Sequence, residues 1–168
     1  MALVEEIRKL TRGMLFQNPK GGKLLNLNVY AQALPIPTRQ EMPREFDPGN
    51  NTIDYIDGSE EEAVFKCPWC LVKLDNGVIG GINGQQQVEV GINFGIYNGG
   101  LENQGHMEIM NLIHKVYERF STSPILDKQY ICKGSFEWGL LEEDMHPYFF
   151  GAIGTTFEFA GFRREVNV

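Results

Sequence analysis

Val88, Val90, Ile92, Phe94 and Ile96 alternate with Gln87, Glu89, Gly91, Asn93 and Gly95, an unbroken run of two-residue periodicity. Successive side chains of a strand point to opposite faces, so this segment presents one apolar face and one small or polar face. Coiled into a helix, the same residues would scatter around its circumference. The chain therefore has to build a sheet with a core on one side only.

The flanking periodicities supply what packs on that core. Leu3, Ile7, Leu10 and Met14 recur at helical spacing and predict an amphipathic helix over residues 3–16, closed by Asn18, Pro19, Gly21 and Gly22. Leu25, Leu27, Val29 and Ala31 alternate and predict a strand over 23–32. Residues 65–74 read as another strand, and 75–87, with Gly77, Gly80, Gly81 and Gly84, as its long glycine-rich turn. Met107, Met110, Ile113, Val116, Tyr117 and Phe120 mark a second helix over 107–120, stopped by residues 121–124. Two more strands follow, over 129–138 with Tyr130, Cys132, Phe136 and Trp138, and over 149–159 with Ile153, Phe157 and Phe159. An acidic turn with Glu142, Glu143 and Asp144 separates them.

This order predicts an α+β fold, a mainly antiparallel β-sheet of about four to five strands packed by two helices, in a single domain over residues 1–168. The expected core is Val90, Ile92, Phe94, Ile113, Val116, Phe136, Trp138, Ile153 and Phe157. Residues 33–62 stand apart, with Pro35, Pro37, Pro43 and Pro48 followed by Asp54, Asp57, Glu60, Glu61 and Glu62. A structureless stretch of that length exceeds what joining two neighbouring elements requires. We expect an extended acidic and proline-rich arm there, functional or ordered only by a partner, which with the glycine-rich hairpin tip at 75–87 contacts neighbouring subunits or another component of an assembly; a solvated acidic loop is the alternative.

Composition narrows the function class. With 15 Lys+Arg against 22 Asp+Glu the formal net charge is −7, which disfavours a general grip on nucleic-acid phosphates. No apolar run is long enough for a membrane span, and Glu5, Glu6, Arg8 and Lys9 interrupt the start where a signal peptide would be apolar, so synthesis in the cytoplasm is expected. Cys67-Pro68-Trp69-Cys70 has the spacing used in thiol exchange and in half of a zinc site. It sits in a strand pattern rather than before a helix, and Cys132, His106, His114 and His146, the further ligands at hand, are scattered singly. Packing is the expected role of these cysteines. The loop over 77–84 has neither phosphate-loop order nor a following helix, and no nucleophile elbow or HExxH pattern occurs. No catalytic, cofactor-binding or metal-binding residue is assigned, and no cofactor is expected.

Taken as a set, several segments resemble a known family. They are the strand centred on Phe65, Pro68 and Trp69, the return strand through Tyr97, and the Gly105-led helix with Ile109-Met110-Asn111-Leu112-Ile113. Pro124-Ile125-Leu126, the Trp138 strand, and His146-Pro147-Tyr148-Phe149-Phe150-Gly151-Ala152-Ile153 leading to Thr155-Thr156-Phe157-Glu158 complete the set. Over residues 62–160 the chain is similar to the tail terminator and tail-completion proteins of tailed bacteriophages and of prophages in Gram-positive bacteria. The resemblance implies a non-enzymatic structural protein that forms a homo-hexameric ring on the tail tube, stops its growth and joins the tail to the head or neck. Its implied partners are the tail tube protein and also the tail sheath, where the tail is contractile, and neck or connector proteins. DNA would pass only transiently through the lumen, no membrane is involved, and the protein would be made in the host cytoplasm and reside in the virion. The chain departs from the family pattern in its hairpin cysteines, its long glycine-rich tip, and Ala160-Gly161 where a proline commonly closes the last strand. A head-tail connector or neck component is the alternative, and a zinc- or thiol-dependent protein using Cys67 and Cys70 a more distant one.

Overall fold

The computed structural model describes residues 2–36, 67–80, 84–141 and 146–160. Most of the expected arm, the three residues 81–83 of the glycine-rich tip, and the acidic Glu142, Glu143 and Asp144 lie outside the described residues.

Helix α1 (Ala2–Leu10) is followed by β1 (Leu15–Phe16), β2 (Leu25–Asn26), β3 (Asn28–Ala31), β4 (Trp69–Ile79) and β5 (Gln86–Tyr97). Helix α2 (Gly105–Thr122) leads into β6 (Ile125–Leu126), β7 (Tyr130–Leu140) and β8 (Tyr148–Phe159). The main sheet has six strands in the order β3-β4-β5-β8-β7-β6, and β1 and β2 form a separate antiparallel pair. All pairings are antiparallel except β3 with β4. The α+β class stands, with two helices among the described residues, and the strand count there already exceeds the four to five expected.

The extra strands arise where short-range cues were ambiguous. The first helix ends at Leu10 rather than Phe16, because Thr11, Arg12 and Gly13 turn the chain, with Gly13 at φ 83°, and Leu15–Phe16 then pairs with Leu25–Asn26. The expected strand over 23–32 accordingly splits at Leu27. Residues 75–79, expected in the turn, continue β4 beyond a bulge between Leu74 and Gly77, leaving only 80–85 between the strands. The bulge adds one residue to β4 and so keeps Gly77 and Val78 in register with Val88 and Gln87.

Register assigns the two faces. Ile96, Phe94, Ile92, Val90 and Val88 of β5 pair with Phe149, Gly151, Ile153, Thr155 and Phe157 of β8, and apart from Gly151, which has no side chain, this row faces the helices. Cys70 and Val72 of β4 join them opposite Phe94 and Ile92. Both helices pack on this side and share one buried cluster with it, including Ile7 from α1 and Ile109, Leu112, Val116 and Phe120 from α2. The α2 stripe is rotated from the expected one: Ile109 and Leu112 are buried, whereas Met107 and Tyr117 are exposed. Close approach explains the rotation, because a Cβ at Gly105 would overlap the Phe149 ring and one at Gly151 would overlap Ile109. A part-buried ion pair between Arg119 and Glu6 ties the helices together.

Candidate assembly surface

The two long edges of the sheet are finished differently. At β3, Arg8 of α1 donates from Nη2 to the Val29 carbonyl at 3.0 Å, occupying one of the outward-facing positions of that edge. At the opposite side β6 is only two residues long and pairs with Tyr130 and Ile131, so the remainder of β7 has no strand beside it among the described residues. This open edge has two halves. Between Cys132 and Phe136 the register with β8 shifts, Gly134 adopts φ 78°, and the buried Thr155 hydroxyl donates to the Ser135 carbonyl at 2.8 Å. Such a bulge blunts an edge against pairing. From Phe136 to Leu140 the register with β8 is regular again, and this half carries Trp138.

Trp138 lies opposite Ile153, on the helix-facing side as the alternation predicts, yet it is 58% exposed and does not belong to the core. The expected burial of Trp138 is thus corrected while its register is sound. It sits on an edge strand, and on that strand ring packing from α2 reaches Phe136 through Tyr117, with centroids 5.3 Å apart. Burying a large aromatic needs cover on both sides, and an edge strand supplies it on one.

The second surface is the opposite face of the sheet, on which no helix packs among the described residues. Toward the start of β4 it carries an aromatic group: Trp69 lies over Gly95, with its ring 6.0 Å from Phe150, and Tyr97 meets Tyr148 edge-on at 5.4 Å. A Cβ at Gly95 would overlap the Trp69 indole, so glycine is what permits this packing. Burial holds the Tyr148 phenol above its usual range, and Cys67 and Tyr97 act in the same direction. Further along, Asp75, Glu89 and Glu137 surround a shallow concavity of about 330 Å³ that also includes Gly91 and Gly154.

All three cysteines are buried and none is in a disulfide. Burial pushes the Cys67 thiol up to about 12, against a smaller opposing effect from its hydrogen bond with the Trp69 side chain, and burial also raises Cys70. A thiol so held is a poor nucleophile at neutral pH, since the thiolate is the reactive form. Cys132 is on β7, three strands from Cys70 on β4, which at ordinary strand spacing is about 14 Å or more. It contacts Thr155 instead, with Sγ and Oγ1 3.3 Å apart. His114 pairs with Glu118 on the exposed side of α2, and His146 meets the Gly100 carbonyl. Among the described residues no three His, Cys, Asp or Glu side chains are grouped as a metal site would require.

No protein-family model and no curated protein matches this chain. Among the described residues, no helix is long and apolar enough to cross a membrane.

The outer face was legible in part, because Glu89, Gly91, Asn93 and Gly95 already read as its small and polar side. Nothing in the sequence marks Trp138 as exposed. Its periodicity is that of a core residue, and only the two-residue length of β6 decides otherwise.

Proposed function

We propose that this chain is a structural virion protein of the tail-terminator kind, a subunit of a hexameric ring that caps the tail tube, ends its growth and joins the tail to the head or neck. It works by contact rather than by catalysis. The observation that carries this reading is the asymmetry of the sheet edges: among the described residues β7 is open beyond Ile131 and bears the exposed Trp138, while Arg8 caps a carbonyl of β3. An open strand edge next to an exposed tryptophan is a ready docking element for another chain. Because the two edges differ, the natural contact joins unlike surfaces, and a head-to-tail contact closes into a ring when its rotation allows. The formal net charge of −7 suits a lumen through which DNA passes without being retained.

Mass measurement of the purified protein, followed by electron microscopy with tail tubes, tests this reading. A six-subunit species seated at tube ends is expected, and Trp138→Ser should abolish it while leaving a folded monomer. A wild-type protein that stays monomeric at high concentration and ignores tube ends would overturn it. Binding to head portals in preference to tubes would assign the chain to the neck instead.

A further inference from the structure

A second stretch of open edge lies on the side of the sheet that β3 guards. Strand β3 covers only Trp69 to Val72 of β4. At Gln32 the chain takes φ 65° and the Ala33 N–H turns back to the Ala31 carbonyl, which ends β3, while the Gln32 side chain accepts from the Leu74 N–H at 3.0 Å. Beyond Leu74, β4 runs on through Gly77, Val78 and Ile79 with no strand on its outer side among the described residues. Val72 bonds Gln32 through its carbonyl and Leu74 faces the same way, so the alternation, resumed after the bulge, turns the backbone groups of Gly77 and Ile79 outward. On β7 the Leu141 N–H donates to the Phe150 carbonyl, which puts Glu137 and Gly139 toward β8 and leaves the backbone groups of Phe136, Trp138 and Leu140 facing out. Each copy thus carries two open half-edges at diagonally opposite corners of its sheet.

We infer that these half-edges pair between copies: β7 of one subunit adds antiparallel to the outer half of β4 in the next, with Trp138 opposite the neighbour's Gly77 and Phe136 opposite its Ile79. This rests on the reading of β7 as a docking edge and names the surface it docks on. Three features select that surface. Polarity fits, because β4, β5, β8 and β7 alternate in direction, so a copy in the same orientation offers its β4 antiparallel to β7. Side chains fit too, since opposed residues share a face, and Phe136, Trp138 and the 80% exposed Ile79 all lie on the helix-covered side. A glycine opposite a tryptophan lets the indole lie across the strand, as Trp69 already does over Gly95, its opposite on β5. Past Gly77 the indole meets Val88, which with Leu74 and Phe157 lines an apolar groove of about 290 Å³ open to solvent at that corner. The third feature is stagger. Within one copy Trp138 is level with Ile92 of β5, through Ile153, whereas Gly77 is level with Val88, four positions along. The neighbour is therefore displaced by four residues over the four strands β4, β5, β8 and β7. One residue per strand is the stagger of an eight-stranded barrel of shear 8, whose strands tilt by about 36°, so the repeated contact can close on itself.

Disulfide trapping in the full chain tests the pairing. Glu137 falls opposite the neighbour's Val78 at a non-hydrogen-bonded position, where Cα atoms approach to about 4.5 Å, within disulfide reach. Both side chains are exposed, and the chain's own three cysteines are buried. Glu137→Cys and Val78→Cys, mixed and oxidised with diamide, should give a product of dimer mass that neither variant gives alone, and the double variant should give covalent chains of up to six subunits. Ile79→Lys should abolish the six-subunit species while keeping the melting midpoint within about 2 °C of the wild type. Equal product from either cysteine variant alone would show like edges pairing and overturn the inference. A stronger link from Gly139→Cys than from Glu137→Cys to Val78→Cys would overturn the register and the seat of Trp138 on Gly77. A six-subunit species that gives no mixed disulfide and tolerates Ile79→Lys would overturn the inference and leave the ring standing, whereas a wild type that stays monomeric would remove both.

Discussion

The two faces of the central sheet share a backbone and differ in nearly everything else. On the helix-covered face Val72, Ile92, Phe94 and Ile153 lie within 2% of complete burial and form a continuous apolar layer. On the opposite face the same strands present Gly91, Asn93, Ala152, Gly154 and Thr156, most of them half-buried and too small to build a layer. Stability is thus concentrated on one side. Most substitutions on the other should alter the surface while leaving the fold in place.

The sharpest way to break this contrast is Phe94→Ala. It removes a fully buried ring under α2 and should cost about 3–5 kcal/mol in urea unfolding. A cost below 1 kcal/mol would mean the covered face is not the seat of stability. Gly95→Ala, one residue along and on the other face, tests the exception. Its Cβ would overlap Trp69, so a loss of about 1–3 kcal/mol with altered tryptophan fluorescence is expected. Gly91→Ala meets the Asp75 carboxylate at 3.0 Å and the Asn93 amide at 3.7 Å, both on movable side chains, and should stay within about 0.5 kcal/mol.

Trp138→Ala belongs with the small stability effects despite the size of the side chain, because its exposure leaves little to lose on folding. Less than about 1 kcal/mol is expected, together with loss of the assembled species. A larger loss in the isolated subunit would return Trp138 to the core. The smallest effect concerns Glu108 in the first turn of α2. Burial raises its pKa, the Asn98 hydrogen bond lowers it by less, and one carboxylate oxygen is buried without a partner. The folded state therefore holds this proton to higher pH than the unfolded chain does, and stability falls as pH rises through that interval. Glu108→Gln should raise the melting midpoint slightly at pH 7, with the gain vanishing once the pH drops below the ordinary carboxylate range. A gain that persists at pH 3 would refute the assignment to desolvation.

The covered face was readable in the sequence because it depends on periodicity alone. Val90, Ile92, Phe94, Ile113, Val116, Ile153 and Phe157 are all buried as their spacing predicts, and Phe136 is partly so. The misjudged positions depend on neighbours distant in sequence. Trp138 has core periodicity but an edge location, Leu15–Phe16 became a strand through pairing with Leu25–Asn26, and residues 75–79 extended β4 because β5 was long enough to pair with them. Met107 and Tyr117 fell outside the core because Gly105 and Gly151 brought the helix in at an angle that spacing does not encode.

The ladder between β5 and β8 runs from Gln86 with Phe159 to Tyr97 with Tyr148, joining positions 51 to 73 apart in sequence. The strand pairs on either side, β4 with β5 and β7 with β8, close much shorter segments of chain and can form earlier. Until the centre zips, β5 and β8 each present an unpaired inner edge with the same geometry in every nascent copy. Two incompletely folded chains can then satisfy one another by exchanging halves about the segment that joins β5 to α2. Refolding yield of the monomer should accordingly decline as protein concentration rises, with exchanged dimers in its place, even though the native sheet buries that seam completely.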